Sequence, residues 1–203
     1  MLQTQSVVPE LMELLKKLMN EKMFSDFQLV GGTSLALQMG HRNSIDIDLF
    51  GNTDIDTELF IKKLSEFGNL IVTQSSKNIL ITKINEIKID FVNYKYPLLT
   101  EYLCIENIRM LSMKDIAAMK LNAIAGRGSK KDFIDLYYLL QKFSIKEMLD
   151  FYNKKYHDGS EFMILKSLTY FADADTQITP QMFDKTFNWE ICKQKITDEV
   201  CKI

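Results

Sequence analysis

The chain has 203 residues, of which 46% are hydrophobic and 26% charged, the balance of a soluble globular protein able to bury a core without staples. Three scattered cysteines, Cys104, Cys192 and Cys201, form no CxxC or Cys/His ladder, which argues against a structural zinc site and reads as reduced thiols of a cytoplasmic protein. A net charge of −2 argues against a generic nucleic-acid coat, no stretch approaches the ~18 apolar residues of a membrane span, and the N-terminus lacks the pattern of a signal peptide.

The first expected element is a helix from Pro9 to Met23, with proline at its first position and Leu11, Leu14, Leu15 and Leu18 at helical spacing. Phe27 to Val30 reads as a short buried strand, ended by Gly31-Gly32. Thr33 or Ser34 is expected to cap a short helix over Leu35 to Met39, with Gly40 at its C-terminus. Ser44 to Phe50 alternates strictly, as a strand with two distinct faces. A helix from Thr57 to Phe67 follows, then strands over Leu70 to Thr73, Ile79 to Ile84 and Ile87 to Val92, the last two joined by a turn at Asn85-Glu86.

After Leu111 the pattern turns helical. Ser112 with Asp115, Ser129 with Asp132 and Ser144 with Glu147 resemble capping boxes. They open helices at about 113–125, 130–142 and 145–156, and two more are expected near 160–170 and 189–201. The fold class is therefore α+β, a small mixed sheet lobe over residues 1–108 followed by a helical lobe over 109–203, with Tyr96-Pro97 as the nearest thing to a seam. Charge is uneven: 1–108 carries −4, 109–155 carries +5 and 156–203 carries −3. Either solvated helix faces or a local positive surface accounts for the middle value.

The chemistry is expected on the alternating strands. Period two puts Asp46 and Asp48 on one face, with Ile45, Ile47 and Leu49 on the other. Two adjacent carboxylates repel unless a cation sits between them, and Mg²⁺ takes one or two protein carboxylates together with substrate phosphates. Asp90, opposite Ile87, Ile89 and Phe91, is a third acid that could join them if the strands are neighbours. An acid-studded strand edge is the plainer alternative. Upstream, backbone N–H groups at Gly31 and Gly32, with the Thr33 and Ser34 hydroxyls, suit a phosphate.

Val30-Gly31-Gly32, a spacer of thirteen residues, then Asp46-Ile47-Asp48-Leu49 resembles the signature of the DNA polymerase beta nucleotidyltransferase superfamily. The fuller string from Leu29 to Phe50, with Gly40-His41-Arg42 before the acids, is similar to the AbiEii/AbiGii-type nucleotidyltransferase toxins of abortive-infection and toxin–antitoxin systems. Met113 to Gly128 resembles that family's lysine-bearing helix, and Ser129 to Tyr137 its Arg/Lys-Asp-x-x-Asp-Leu-Tyr segment. The likeness covers roughly 27–140. It implies Mg²⁺ on Asp46, Asp48 and Asp90, and transfer of a nucleoside monophosphate from a nucleoside triphosphate to RNA, notably tRNA ends, or to protein. It implies roles for Lys120 and Asp132 in catalysis, for Asp135 in orienting Lys120 or Arg127, and for Arg127, Lys131, His41 and Arg42 in substrate contact. It also implies a toxin paired with an antitoxin. A non-catalytic nucleotide-binding module and a small-molecule nucleotidyltransferase are the alternatives.

Overall fold

The structure, a computed structural model, describes the whole chain from Met1 to Ile203. It divides into two compact units, one of Met1–Tyr96 with Tyr102–Leu111, the other of Pro97–Glu101 with Ser112–Ile203.

The first unit is built on a seven-stranded mixed sheet. Helix α1 (Pro9–Asn20) precedes β1 (Gln28–Leu29), α2 (Gly31–Met39) and β2 (Asp46–Gly51). Helix α3 (Thr57–Leu64) leads to β3 (Leu70–Ser75), β4 (Ile79–Ile84) and β5 (Ile87–Asn93), then β6 (Leu103–Ile105) and β7 (Ile108–Met110). The spatial order is β3-β4-β5-β2-β1-β7-β6. Only β2–β5 and β1–β7 pair in parallel.

The core explains the polarity of the central strands. Ile47 and Leu49 of β2 and Ile89 and Phe91 of β5 are fully buried, in one cluster with the α1 leucines and with Phe60 and Leu64 of α3. Phe24, Phe27, Phe60 and Phe91 pack there with ring centroids 4.9–5.8 Å apart, edge-on except for the tilted Phe24–Phe91 pair, a geometry that adds to the area each ring buries. With the odd residues of both strands committed to this core, Asp46, Asp48 and Asp90 must face the other way.

Several boundaries differ from the sequence-based expectation, each for a local reason. Helix α1 stops at Asn20, and Lys22–Phe24 form a 3-10 turn. Arg109 of β7 fixes that turn by donating to the carbonyls of Met19 at 2.9 Å, Phe24 at 3.0 Å and Phe27 at 3.1 Å. Helix α2 starts four residues early, at Gly31 with Val30 as N-cap, so the glycines form its first turn and neither Thr33 nor Ser34 caps it. The β6–β7 hairpin was not expected. Its turn puts Glu106 and Asn107 in the left-handed region, at φ 54° and 64°, without the Asn-Gly pair that usually marks such a turn.

The second unit is helical, with α4 (Met113–Gly126) packed against α5 (Lys130–Leu139), α6 (Ile145–Lys155) and α7 (Glu161–Leu168). Short α8 (Ala172–Asp175) and α9 (Trp189–Val200) complete it. Ser144 and Glu147 form a full capping box on α6. The other two expected boxes resolve differently. Ser112 caps α4, but the Asp115 carboxylate turns inward to the buried ammonium of Lys155 at 2.8 Å. Ser129 makes no cap bond and donates to Asp132 Oδ2 at 2.5 Å. Lys155 Nζ also donates to the Pro97 carbonyl at 2.7 Å, and Asp115 Oδ1 accepts the Leu99 N–H at 2.9 Å, which fastens 97–101 to this unit.

Candidate active site

Strand pairing assembles the acidic face. In the parallel β2–β5 register Asp48 stands opposite Asp90, and Asp46 opposite Lys88. Adjacent strands lie ~4.8 Å apart, so three acids and one lysine occupy the corners of a small grid on one face. The condition set by the sequence, that the two strands be neighbours, is met. No three His, Cys, Asp or Glu side chains stand gathered as a metal cage, however. Asp90 Oδ2 is held instead by Lys88 Nζ at 2.5 Å, while Asp90 Oδ1 is buried and has no hydrogen-bond partner. A carboxylate oxygen withdrawn from water and left unbonded is costly, and it marks a place where a cation or a proton would be accommodated.

The glycine turn meets this grid at one edge. Gly31 has φ +66°, and a Cβ built on it would stand 2.5 Å from Asp48 Oδ2. Glycine is needed twice over, for the backbone conformation and for the approach of the carboxylate. Asp48 therefore lies at the N-terminus of α2, the positive end of the helix dipole. A Cβ on Gly32 would stand 2.4 Å from Arg42 Nη2. Arg42 and His41 are buried at 3% and 4% exposure, and Arg42 Nη1 donates to the Asn43 carbonyl at 2.8 Å.

The hydroxyls do not line the turn as the sequence suggested. Thr33 is buried, 2.7 Å from Ser44 Oγ, and donates to the main-chain carbonyl of Asp46, which fixes the start of the acidic strand. Ser34 is buried and accepts from Gln38 Nε2 at 3.2 Å.

The second unit gathers four more of the singled-out residues. Lys120 Nζ is 2.9 Å from Asp132 Oδ1 and 2.5 Å from Asp135 Oδ2, with both carboxylates fully buried. Arg127 grips Asp132 with Nε at 2.8 Å and Nη2 at 3.0 Å. Burial pushes the Asp132 carboxyl upward, but the charges of Lys120 and Arg127 and the Ser129 hydroxyl outweigh it and hold the group well below the usual carboxylate range. Arg127 keeps 61% of its side chain exposed, and Lys131 is exposed at the start of α5.

The positive charge counted over 109–155 is partly internal. Arg109 serves main-chain carbonyls, Lys120 and Lys155 are in buried ion pairs, and Lys130 donates to the Gln177 carbonyl at 2.5 Å beneath Trp189.

The AbiEii family, described as nucleotidyl transferase toxins of type IV toxin–antitoxin systems, matches residues 13–197. The chain belongs to this family. It is a nucleotidyltransferase by that membership. An uncharacterised protein of Aquifex aeolicus is 38% identical over 172 residues, 82% of this chain and 84% of that one. A Helicobacter pylori protein crystallised as a candidate nucleotidyltransferase superposes with a TM-score of 0.59 at 16% identity, covering 95% of this chain and 91% of the other. The nucleotidyltransferase toxin MenT4 of Mycobacterium tuberculosis superposes with a TM-score of 0.57 at 14% identity, covering 94% and 84%. These two similarities are of fold. No helix is long and apolar enough to cross a membrane.

One residue of the acidic face escaped the sequence reading. Lys88 precedes Asp90 by two in Ile87-Lys88-Ile89-Asp90, and the same alternation that placed Asp90 places Lys88 beside it.

Proposed function

We propose that this AbiEii-family protein transfers a nucleoside monophosphate from a nucleoside triphosphate to the end of an RNA, with Mg²⁺ held by Asp46, Asp48 and Asp90, as the cytoplasmic toxin of a toxin–antitoxin pair. The observation that carries the reading is the register of β2 on β5, which sets Asp48 beside Asp90 at the first turn of α2. The donor set is all carboxylate oxygen, the chemistry Mg²⁺ prefers, and two carboxylates with substrate phosphates suffice for it. Bound there, Mg²⁺ would offset the charge of the triphosphate and of the attacking and leaving oxygens.

In the proposed reaction the acceptor hydroxyl oxygen bonds to the α-phosphorus, the bond from that phosphorus to the bridging oxygen breaks, and pyrophosphate leaves. The hydroxyl proton passes to Asp90 Oδ1, the oxygen not engaged by Lys88. Main-chain N–H groups of the first turn of α2, which any helix leaves without an internal partner, receive a phosphate oxygen. Arg42, lying over Gly32, adds charge to that edge. Asp132 and Asp135 orient Lys120 and Arg127, and the exposed Arg127 and Lys131 are suited to substrate phosphates.

The test is incubation of the protein with Mg²⁺, each labelled nucleoside triphosphate in turn and total tRNA, with Asp48→Ala alongside. Label in RNA from the unaltered protein alone supports the proposal and identifies the nucleotide. Label in the protein itself would move the acceptor to protein. Nucleotide binding without transfer to either would leave a binding module or a small-molecule acceptor.

A further inference from the structure

We infer that Lys88 is a tethered counter-cation of the acidic face, which keeps its affinity for free divalent ions low until a nucleotide arrives. The inference rests on the reading of Asp46, Asp48 and Asp90 as a divalent-ion site and adds a residue which that reading does not use.

Three observations carry it. Lys88 occupies the fourth corner of the grid, opposite Asp46 in the β2–β5 register and two residues from Asp90 on the same face. Its ammonium takes Asp90 Oδ2 at 2.5 Å, and its side chain keeps 40% exposure against 16% for Asp90, so it reaches the carboxylate from the solvent side. The three acids are not gathered into a cage, and the Asp90 carboxylate is bonded by this lysine at Oδ2 while Oδ1 is left unbonded.

The electrostatics follow directly. The four corners carry three negative charges and one positive. The four corners contribute a net −2 with Lys88 in place and −3 without it, beside the charge of Arg42 at the Gly32 edge, which is the same in both cases. The lysine also relieves repulsion among carboxylates on adjacent strands, so the face folds without metal. It engages one oxygen of the Asp90 carboxylate, Oδ2, and leaves Oδ1 unbonded. A triphosphate brings its own negative charge and restores what Lys88 cancels. The ion is then held well only with nucleotide, and the empty protein does not sequester divalent cations.

The test measures Mn²⁺ binding to the full chain without nucleotide, by electron paramagnetic resonance, for the unaltered protein and for Lys88→Gln, Lys88→Thr, Lys88→Arg and Asp48→Asn. Threonine is a second neutral variant suited to a strand, should glutamine disturb folding. Both neutral variants are expected to bind Mn²⁺ more tightly on the order of tenfold, the scale for removing one unit charge beside a partly solvated ion site. Lys88→Arg keeps the parent affinity, and Asp48→Asn weakens it. In EDTA the neutral variants melt lower than the parent, and saturating Mn²⁺ raises their melting temperature by more. Unchanged or weaker Mn²⁺ binding in both neutral variants, with Asp48-dependent binding in the parent, overturns the role of Lys88 and leaves the metal site standing. Mn²⁺ binding indifferent to Asp48→Asn, or absent throughout, overturns both.

Discussion

Replacing Asp132 by asparagine is the sharpest probe of the second unit. The side chain keeps its size but loses its charge at a fully buried position that accepts from Lys120, Arg127 twice and Ser129. An asparagine there would turn an NH₂ group toward cationic donors. Breaking one partner out of a buried ion pair costs about 3–5 kcal/mol, and the retained amide oxygen puts the expected loss near the lower end, about 3 kcal/mol. The complementary change is much milder. Arg127 is 61% exposed, so Arg127→Met leaves Asp132 with Lys120 and Ser129 and should cost below about 1 kcal/mol. Urea unfolding followed by far-UV circular dichroism measures both.

The same variant has a pH signature. The Asp132 carboxyl is held below its ordinary value in the folded protein. The stability it contributes is therefore present above the unfolded value of about 3.9 and is lost as pH falls through the lower folded value. Below about pH 4 the parent should lose stability more steeply than Asp132→Asn, and the gap between them should narrow. A gap under about 1 kcal/mol at pH 7 with parallel acid limbs would refute the reasoning and show that the network does not hold α4 to α5.

Gly31→Ala forces a side chain into the left-handed region and against Asp48 Oδ2. It should cost about 1–2 kcal/mol of stability and, by displacing the carboxylate, about a hundredfold or more in the transfer assay, measured by melting and by label incorporation. Lys155→Met strands the fully buried Asp115 carboxylate and should cost about 3–5 kcal/mol, with Asp115→Leu in the same chain recovering most of it; urea midpoints of the single and double variants decide. Burial lifts the Cys192 thiol to about 12, whereas Cys104 and Cys201 are exposed. Ellman's reagent at pH 8 should titrate two thiols quickly and the third only on unfolding.

The sheet was legible where alternation was strong. Asp46-Ile47-Asp48-Leu49 and Ile89-Asp90-Phe91 declare two faces each, and the structure uses them so. The start of α2 was hidden because glycine is a poor helix former, and only the tertiary approach of Asp48 to Gly31 and of Arg42 to Gly32 explains two glycines in a first turn. The β6–β7 hairpin was hidden because three-residue strands leave no pattern to count.

The burial of Lys130 and Lys155 was hidden for a related reason. Lysine is read as solvated by default, and a buried one needs a partner that is remote in sequence. Lys155 had a signal all the same, since Met148, Tyr152 and Lys155 are spaced by four and three along the buried face of α6. Its partner Asp115 lies 40 residues away, and no local pattern points to it.

The way residues 97–101 are fastened has a bearing on how this protein can be taken apart. The chain leaves the sheet unit, contributes those five residues to the helical unit, returns for β6 and β7, and crosses again at Ser112. A single cut cannot separate the two units. A helical fragment begun at Ser112 would leave Lys155 without the Pro97 carbonyl and Asp115 without the Leu99 amide. A clean dissection calls for a rearranged gene, in which 97–101 is re-attached by a linker ahead of Ser112 and the sheet unit is closed directly from Tyr96 to Tyr102.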